Sequence, residues 1–540
     1  MADQHKKASM VTRIKNGPTV EQQAATQMAA DVAAKVQKNI KRAVAGTLGI
    51  SGERMTKVDT AWLRMDCDAN LMMIVGVWQL APGITYAAVC ERIENSLLKY
   101  NRFKQRVMED AAGATWVNDR KFDLANHVVR EILPKASGAA TGSHQQEALQ
   151  DRVAALATQR LDPKRPLWQI HLIEDYTGPD GIKGSAMVVR IHHCIADGIA
   201  LIQVTMSLVD GGTPPPERRK KQAASSAEFW ITDTLLKPFT DLTVKALGAV
   251  GEGASRSLGM LDMLNDPKSG ARIGMSASMD AAKVMLQVVK DGAALALMPD
   301  DSKTRLKGKP GGAKKVAWCD PVPLEEVKAV GKALNCSVND VLLSCVAGAL
   351  GEYLKSHGDV VTGQEIRAMV PVNLRALDQA YKLGNRFGLV PLVLPIGVEN
   401  PIERVYEVRR RMRELKGSYQ PLLAFSLLAV AGLLVKPAQD MMLGVFAKKT
   451  TAVMTNVPGP REKLKFCGST LEQSMFWVPQ SGDVGLGVSI LSYGGGVQFG
   501  VISDTLLCPD PQRIIDEFLP EFAKLSVLTL MLPWGDAKDL

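Results

Sequence analysis

Two adjacent histidines, His192 and His193, stand out among the seven histidines of the chain, in the string VVRIHHCIADGIA. The residues before them are β-branched or apolar, which predicts a strand over Ala186–His193. Successive strand residues face opposite ways, so His193 shares a face with Met187, Val189 and Ile191, and His192 shares one with Val188 and Arg190. Two neighbouring strand histidines cannot both reach one metal ion without breaking the strand, so the spacing speaks against a metal centre. A general base needs only one imidazole in a cleft, and the unperturbed pKa of ~6.5 suits it to that work. Asp197-Gly198 marks the turn that ends the strand. Taken alone, such a pair is more often structural than chemical.

A second candidate is Ser337-Val338-Asn339-Asp340, which opens the apolar run Val341, Leu342, Cys345, Val346, Ala349. The spacing predicts a helix from Ser337 to about His357, with Ser337 as N-cap and Asp340 as the other half of a capping box. Capping explains Ser337 and Asp340 better than it explains Asn339. An amide in the first turn can donate toward a developing oxyanion beside the positive end of the helix dipole.

The elements that must hold these groups come from 540 residues with 46% hydrophobic and 22% charged side chains. That composition excludes a disordered or fibrous chain. Strands are predicted over Leu71–Leu80, near 386–396 and near 484–502, and helical spacing over Ala87–Tyr100. The string PPPERRKK (214–221) closes a first mixed block, and a Lys-, Gly- and Asp-rich stretch at 299–315 precedes a second. The expected organisation is a basic N-terminal extension (1–45), a first α/β domain carrying the histidines (46–215), a helical connector and crossover loop (216–315) and a second α/β domain (316–540).

The net charge is +9, and residues 1–45 hold eight basic and three acidic side chains, so more than half of the excess sits there. The near-balanced body argues against nucleic acid as a partner. Within the extension Met28, Val32, Val36, Ile40 and Val44 recur every fourth position among lysines. This predicts a basic amphipathic helix, packed on the body or lying on an anionic membrane. Eight scattered cysteines without a C-x-x-C pair read as reduced thiols of a cytoplasmic protein. No signal peptide is visible, and the most apolar stretch, Leu422–Val435, is about 14 residues against the ~20 a membrane crossing needs.

HHCIADG resembles the HHxxxDG motif of the CoA-dependent acyltransferases, the superfamily of chloramphenicol acetyltransferase, plant alcohol acyltransferases and peptide-synthetase condensation domains. Further strings are similar, in order, to motifs of the bacterial wax ester synthase/diacylglycerol acyltransferases. They are MTKVDTAW (55–62), FDLANHV (122–128), LDPKRPLW (161–168), SVNDVLLSCVAGAL (337–350), PVNLR (371–375), GNRF (385–388), TNVPGP (455–460) and SYGGGVQFGVISD (492–504). The resemblance covers roughly residues 50–510. It implies a mixed α/β fold of two chloramphenicol-acetyltransferase-like domains with the active site between them. It implies His193 as general base, with acyl-CoA as donor and diacylglycerol or a long-chain alcohol as acceptor. No covalent acyl-enzyme, cofactor or metal is implied.

By the same resemblance Asp197 braces the motif by pairing with an arginine, for which Arg375 is the local candidate, and Asn339 with Asp340 matters to activity. His192 and Gly198 are assigned to support of the site. Pro166, Leu167 and Trp168 are candidates for the acyl pocket, and Asn456, Pro458 and Gly459 for the tunnel. The family commonly has Ser where this chain has Asn373. Leu422–Val435 is read as core, tunnel wall or lipid-facing surface, and the protein is expected at a membrane or lipid inclusion without spanning it. Rival readings are an acyltransferase of the same superfamily with a polar acceptor or carrier-protein thioester, and a non-catalytic lipid binder.

Overall fold

A computed structural model describes residues 52–110, 113–134, 141–212, 297–374, 383–416, 418, 420–434 and 436–531. The basic extension, most of the connector and Arg375 lie outside the described residues.

The chain forms two compact units. The smaller is carried by a three-stranded sheet in the order β1 (Gly52–Arg54), β4 (Gly113–Asn118), β3 (Gln105–Asp110). The Arg54 guanidinium there holds the Asp110 carboxylate through two hydrogen bonds, 2.6 and 3.0 Å.

The larger unit contains two sheets. The first runs β13 (Lys465–Phe466), β14 (Ser469–Trp477), β2 (Met73–Ala81), β7 (Lys183–His192), β6 (Trp168–Thr177), β5 (Val128–Glu131). Its central strands, MIVGVWQLA and KGSAMVVRIH, are buried or half-buried along most of their length. The helices before the second sheet are α1 (Lys57–Arg64), α2 (Tyr86–Asn95), α3 (Thr141–Thr158) and α4 (Gly198–Leu208), and α3 lies across β2, β6 and β7. Helical spacing continues to Tyr100, but the α-helix stops at Asn95 and two 3₁₀ turns follow.

The second sheet runs β11 (Phe387–Leu394), β10 (Ile366–Asn373), β12 (Ala452–Pro458), β15 (Leu486–Tyr493), β16 (Gly496–Asp504), β8 (Lys314–Trp318), with β9 (Val322–Pro323) also on β16. The apolar stretch near 484–502 is thus a hairpin, turned at Gly494 and Gly495 with φ of +59° and +82°. Five helices follow β9: α5 (Leu324–Ala333), α6 (Val338–Ser356), α7 (Pro401–Lys416), α8 (Gln420–Ala431) and α9 (Lys436–Lys448), and α10 (Pro511–Leu530) closes the described chain. Helix α6 is buried along most of its length and packs on α10 over the sheet, with Leu350, Val488, Phe499 and Phe518 in one core. Each such side chain contributes about 1.5–3 kcal/mol by leaving water.

One strand joins the two halves of the sequence. Strand β14 belongs to the second half of the chain yet pairs antiparallel with β2, from Thr470 opposite Ala81 to Trp477 opposite Val75. The first sheet is therefore incomplete without residues 465–477. The Leu422–Val435 stretch supplies α8, which packs on α1 and β11. No single helix among the described residues is long and apolar enough to cross a membrane.

Candidate active site

Strand β7 ends at His192, whose N–H donates to the Leu167 carbonyl (3.0 Å), and the next N–H, of His193, donates to Met72 O (2.7 Å). The chain then turns, with Ile195 N–H on His192 O (3.0 Å). Asp197 is the N-cap of α4, its Oδ1 accepting from Ala200 N–H at 2.9 Å. A strand end followed at once by a capped helix thus holds His193 in a tight bend.

Two aromatic rings flank the His193 imidazole. Trp62 of α1 stacks on it with centroids 4.3 Å apart and planes 15° apart, and Phe387 of β11 lies at 5.5 Å, tilted 47°. The side chain is 4% exposed. Burial pushes its pKa down to about 4, so the ring is neutral near pH 7 and keeps a lone pair to accept a proton. Helix α8 packs behind the elements that carry both rings.

The bend is clamped by the segment 384–386 from the second half of the chain. Gly384 bridges Ala196, and its carbonyl accepts from Asp197 N–H (3.3 Å). Arg386 N–H donates to the other Asp197 oxygen (3.0 Å). Asn385 donates from Nδ2 to the His193 carbonyl (2.7 Å) and to Asp59 Oδ1 (2.8 Å), and its N–H donates to the same Asp59 oxygen (3.0 Å). Asp59 comes from α1 and is buried; burial raises its pKa against the opposing hydrogen bonds of Asn385 and Thr56. Gly384 has φ +109°, and a Cβ there would sit 3.3 Å from Asp59 Oδ2, so the clamp requires glycine on two counts.

The strings VDTAW and GNRF resemble family motifs, but spacing alone assigns no role to Asp59, Trp62, Asn385 or Phe387 within them. The available signal is a carboxylate beside the apolar Val58, Ala61 and Trp62 of one short helix, since a charge buried with them must find partners.

The other candidate residues fall into three groups. His192 is buried beside the bend: its Nδ1 accepts from Cys194 N–H (3.2 Å), which leaves the ring proton on Nε2, 3.4 Å from Asp66. Ser337 and Asp340 form a capping box, Ser337 N–H on Asp340 Oδ2 (2.9 Å) and Asp340 N–H on Ser337 Oγ (3.2 Å). Asn339 accepts from Asn456 Nδ2 at 2.9 Å, which leaves its own amide hydrogens without a protein partner among the described residues. TNVPGP, whose Pro-Gly pair signals a turn after an extended residue, supplies the end of β12: Asn456 to Pro458 pair in parallel with Ile490 to Ser492, and the strand stops before Gly459. Pro458 is the last strand residue and has no N–H to give the ladder.

Pro166, Leu167 and Trp168 are buried, and Trp168 donates from Nε1 to Phe103 O (2.8 Å). Trp168, Gly198 and Gly459 line an apolar cavity of about 180 Å³ together with Gly76, Ile191 and Val457. That exceeds the ~150 Å³ that admits benzene to a hydrocarbon-lined core, so the space is large enough for the end of a hydrocarbon chain. Ile191 and Gly198 belong to the elements on either side of the His193 bend.

Two mixed α/β lobes sharing a strand, with an HHxxxDG bend clamped between them, define a chloramphenicol-acetyltransferase-like acyltransferase fold. The structure superposes on the wax ester synthase/diacylglycerol acyltransferase of Marinobacter aquaeolei VT8 with TM-score 0.59 and 19% identity, covering 89% of this chain and 100% of that one. It also superposes on the first condensation domain of the CDA synthetase, with TM-score 0.53 and 16% identity over 88% of this chain and 96% of that one. The wax ester synthase/diacylglycerol acyltransferase catalytic domain profile matches residues 55–342, and the WS/DGAT C-terminal domain profile matches residues 383–526. The chain belongs to the wax ester synthase/diacylglycerol acyltransferase family and is an acyltransferase. A Mycobacterium tuberculosis protein named a probable diacylglycerol O-acyltransferase is 26% identical over 494 residues, 88% of this chain and 96% of that protein.

Proposed function

We propose that this enzyme transfers a long acyl group from acyl-CoA to the hydroxyl of diacylglycerol or of a long-chain alcohol. The observation that carries the reading is the neutral His193 imidazole, walled by Trp62 and Phe387, with a hydrocarbon-lined cavity beside its bend. The imidazole takes the hydroxyl proton as the oxygen attacks the thioester carbonyl. The tetrahedral intermediate then loses its C–S bond, and the imidazolium returns the proton to the departing CoA sulfur. No acyl-enzyme forms in this scheme, because holding both substrates in place removes much of the entropic barrier. The Asn339–Asn456 pair is assigned the carbonyl oxygen, through the amide hydrogens of Asn339. Asp197, Asn385 and Asp59 act by fixing the bend.

Both acceptors are lipids, so the reading includes work at a membrane or lipid-inclusion surface. Deleting residues 1–45 tests whether the basic extension contributes: weaker sedimentation with anionic liposomes at low salt is expected.

The main test replaces His193 with alanine and follows thiol release from palmitoyl-CoA with dioleoylglycerol or hexadecanol as acceptor. A loss of about 10²–10⁴-fold with an unchanged circular dichroism spectrum is expected. Full activity in the variant refutes the assignment, and turnover only with a soluble amine moves the enzyme to a polar acceptor.

A further inference from the structure

Away from the apolar cavity, the described residues enclose an open, polar cleft of about 390 Å³. Its walls include Lys332 at the end of α5, Arg409 and Arg413 on one face of α7, and Asp340 in the first turn of α6. Helix α7 neutralises its other arginines carefully. Arg404 is paired with buried Glu521, Arg410 with Glu407 and Glu414, and Arg411 with Glu407 and Glu365. Arg409, Arg413 and Lys332 have no carboxylate partner among the described residues. Asp340 accepts from Ser337 N–H with one oxygen and keeps its negative charge, so the cleft retains a net excess of two positive charges. Three cations without ion pairs against one carboxylate around a concave space make a site for a multiply charged anion.

The position of the cleft says which anion. Ser337 and Asp340 in its wall flank Asn339, Asn339 bonds Asn456, and the neighbouring Val457 lines the apolar cavity. Ile191 and Gly198 line the same cavity on the His193 side. A cationic cleft, an amide pair and a hydrocarbon cavity therefore succeed one another. Acyl-CoA has the matching order: a nucleotide with three phosphates, a pantetheine arm ending in the thioester, and a hydrocarbon chain.

We propose that Lys332, Arg409 and Arg413 bind the phosphates of the CoA nucleotide, so that the thioester is drawn past Asn339 toward His193. The proposal rests on acyl-CoA being the donor.

The test compares palmitoyl-CoA with palmitoyl-pantetheine, which lacks the nucleotide, as donors to hexadecanol and dioleoylglycerol. The full-length variant Arg409→Gln/Arg413→Gln is set beside wild type and beside Arg410→Gln, whose arginine is ion-paired. The double variant is expected to raise KM for palmitoyl-CoA about tenfold or more, with kcat little changed. Its KM for palmitoyl-pantetheine should equal that of wild type, and Arg410→Gln should leave both unchanged. Adenosine 3′,5′-bisphosphate should compete with palmitoyl-CoA in wild type and lose that effect in the double variant.

An unchanged KM for palmitoyl-CoA in the double variant overturns the proposal. So does an unchanged KM accompanied by lost binding to phosphatidic acid vesicles, which gives the cluster to a lipid surface. Should wild type transfer from neither donor, the acyl-CoA reading itself fails. Calorimetry with adenosine 3′,5′-bisphosphate then still decides the cleft: binding that the double variant loses upholds a nucleotide-phosphate site, and no binding by wild type removes it.

Discussion

Replacing Trp62 by alanine strips one wall from the His193 imidazole and tests why that ring stays neutral. The folded pKa is about 4 against an ordinary 6.5, a difference of about 2.5 units or ~3 kcal/mol against the charged form, with burial as the leading cause. The Trp62 ring, stacked at 4.3 Å, is the nearest aromatic cover. Letting water reach that face should return the pKa most of the way, to about 6. At pH 5.5 the wild-type base is then almost wholly neutral, while roughly a quarter of the alanine variant remains so. The pH profile of kcat/KM for thiol release from palmitoyl-CoA should accordingly stay flat to pH 5 in wild type. In Trp62→Ala it should fall about fourfold by pH 5.5 relative to its own plateau. Trp62→Phe keeps a ring against His193 and should keep the wild-type profile. The alanine variant also leaves a cavity costing about 3–5 kcal/mol of stability, so its melting temperature must be followed and rates taken well below it. Coincident acid limbs in wild type and Trp62→Ala would refute the reasoning, and so would a wild-type limb already near pH 6.5.

Three further outcomes are expected. Gly384→Ala puts a side chain at φ +109° and 3.3 Å from the Asp59 carboxylate, and should lower unfolding free energy by about 1–3 kcal/mol in urea titrations while reducing kcat. His193 binds a proton between pH 6.5 and 4 only when unfolded, so its contribution is fully present above 6.5 and is lost as pH falls toward 4. Thermal melts of wild type should therefore drop through that window, and His193→Gln should flatten the slope by about one proton. Gly76→Val adds methyl groups to the wall of the apolar cavity, where a Cβ meets only ordinary contacts at 3.5 Å. It should raise KM for palmitoyl-CoA relative to octanoyl-CoA, at ~0.8 kcal/mol per methylene displaced, as read from parallel rate curves.

The parts of this molecule written in local spacing were legible before any coordinates. The histidine bend, the Ser337–Asp340 capping box three residues apart and the strands around 73–81 and 183–192 all depend on neighbours in sequence. The clamp was not legible. Asn385 and Asp59 are 326 positions apart, and a polar pair over that distance leaves no periodicity on either side. For the same reason nothing in the sequence set Trp62 against His193, or separated the Asn456 amide from an ordinary turn. In TNVPGP the Pro-Gly pair marks where the extended segment ends, but only the parallel partner β15 shows what that segment pairs with. Strand β14 reads as a strand by composition, but which sheet it joins depends on an edge of β2 far upstream.

That borrowed strand has a consequence for biosynthesis. At ribosomal speeds of ~5–20 residues per second, β2 is made about 20–80 s before Trp477. For that interval a hydrogen-bonding flank from Val75 to Ala81 stands open on an apolar strand, ready to zip onto another nascent chain. Heterologous production should thus be limited by aggregation during translation, and a lower growth temperature or holdase chaperones should help more than any change to the finished surface.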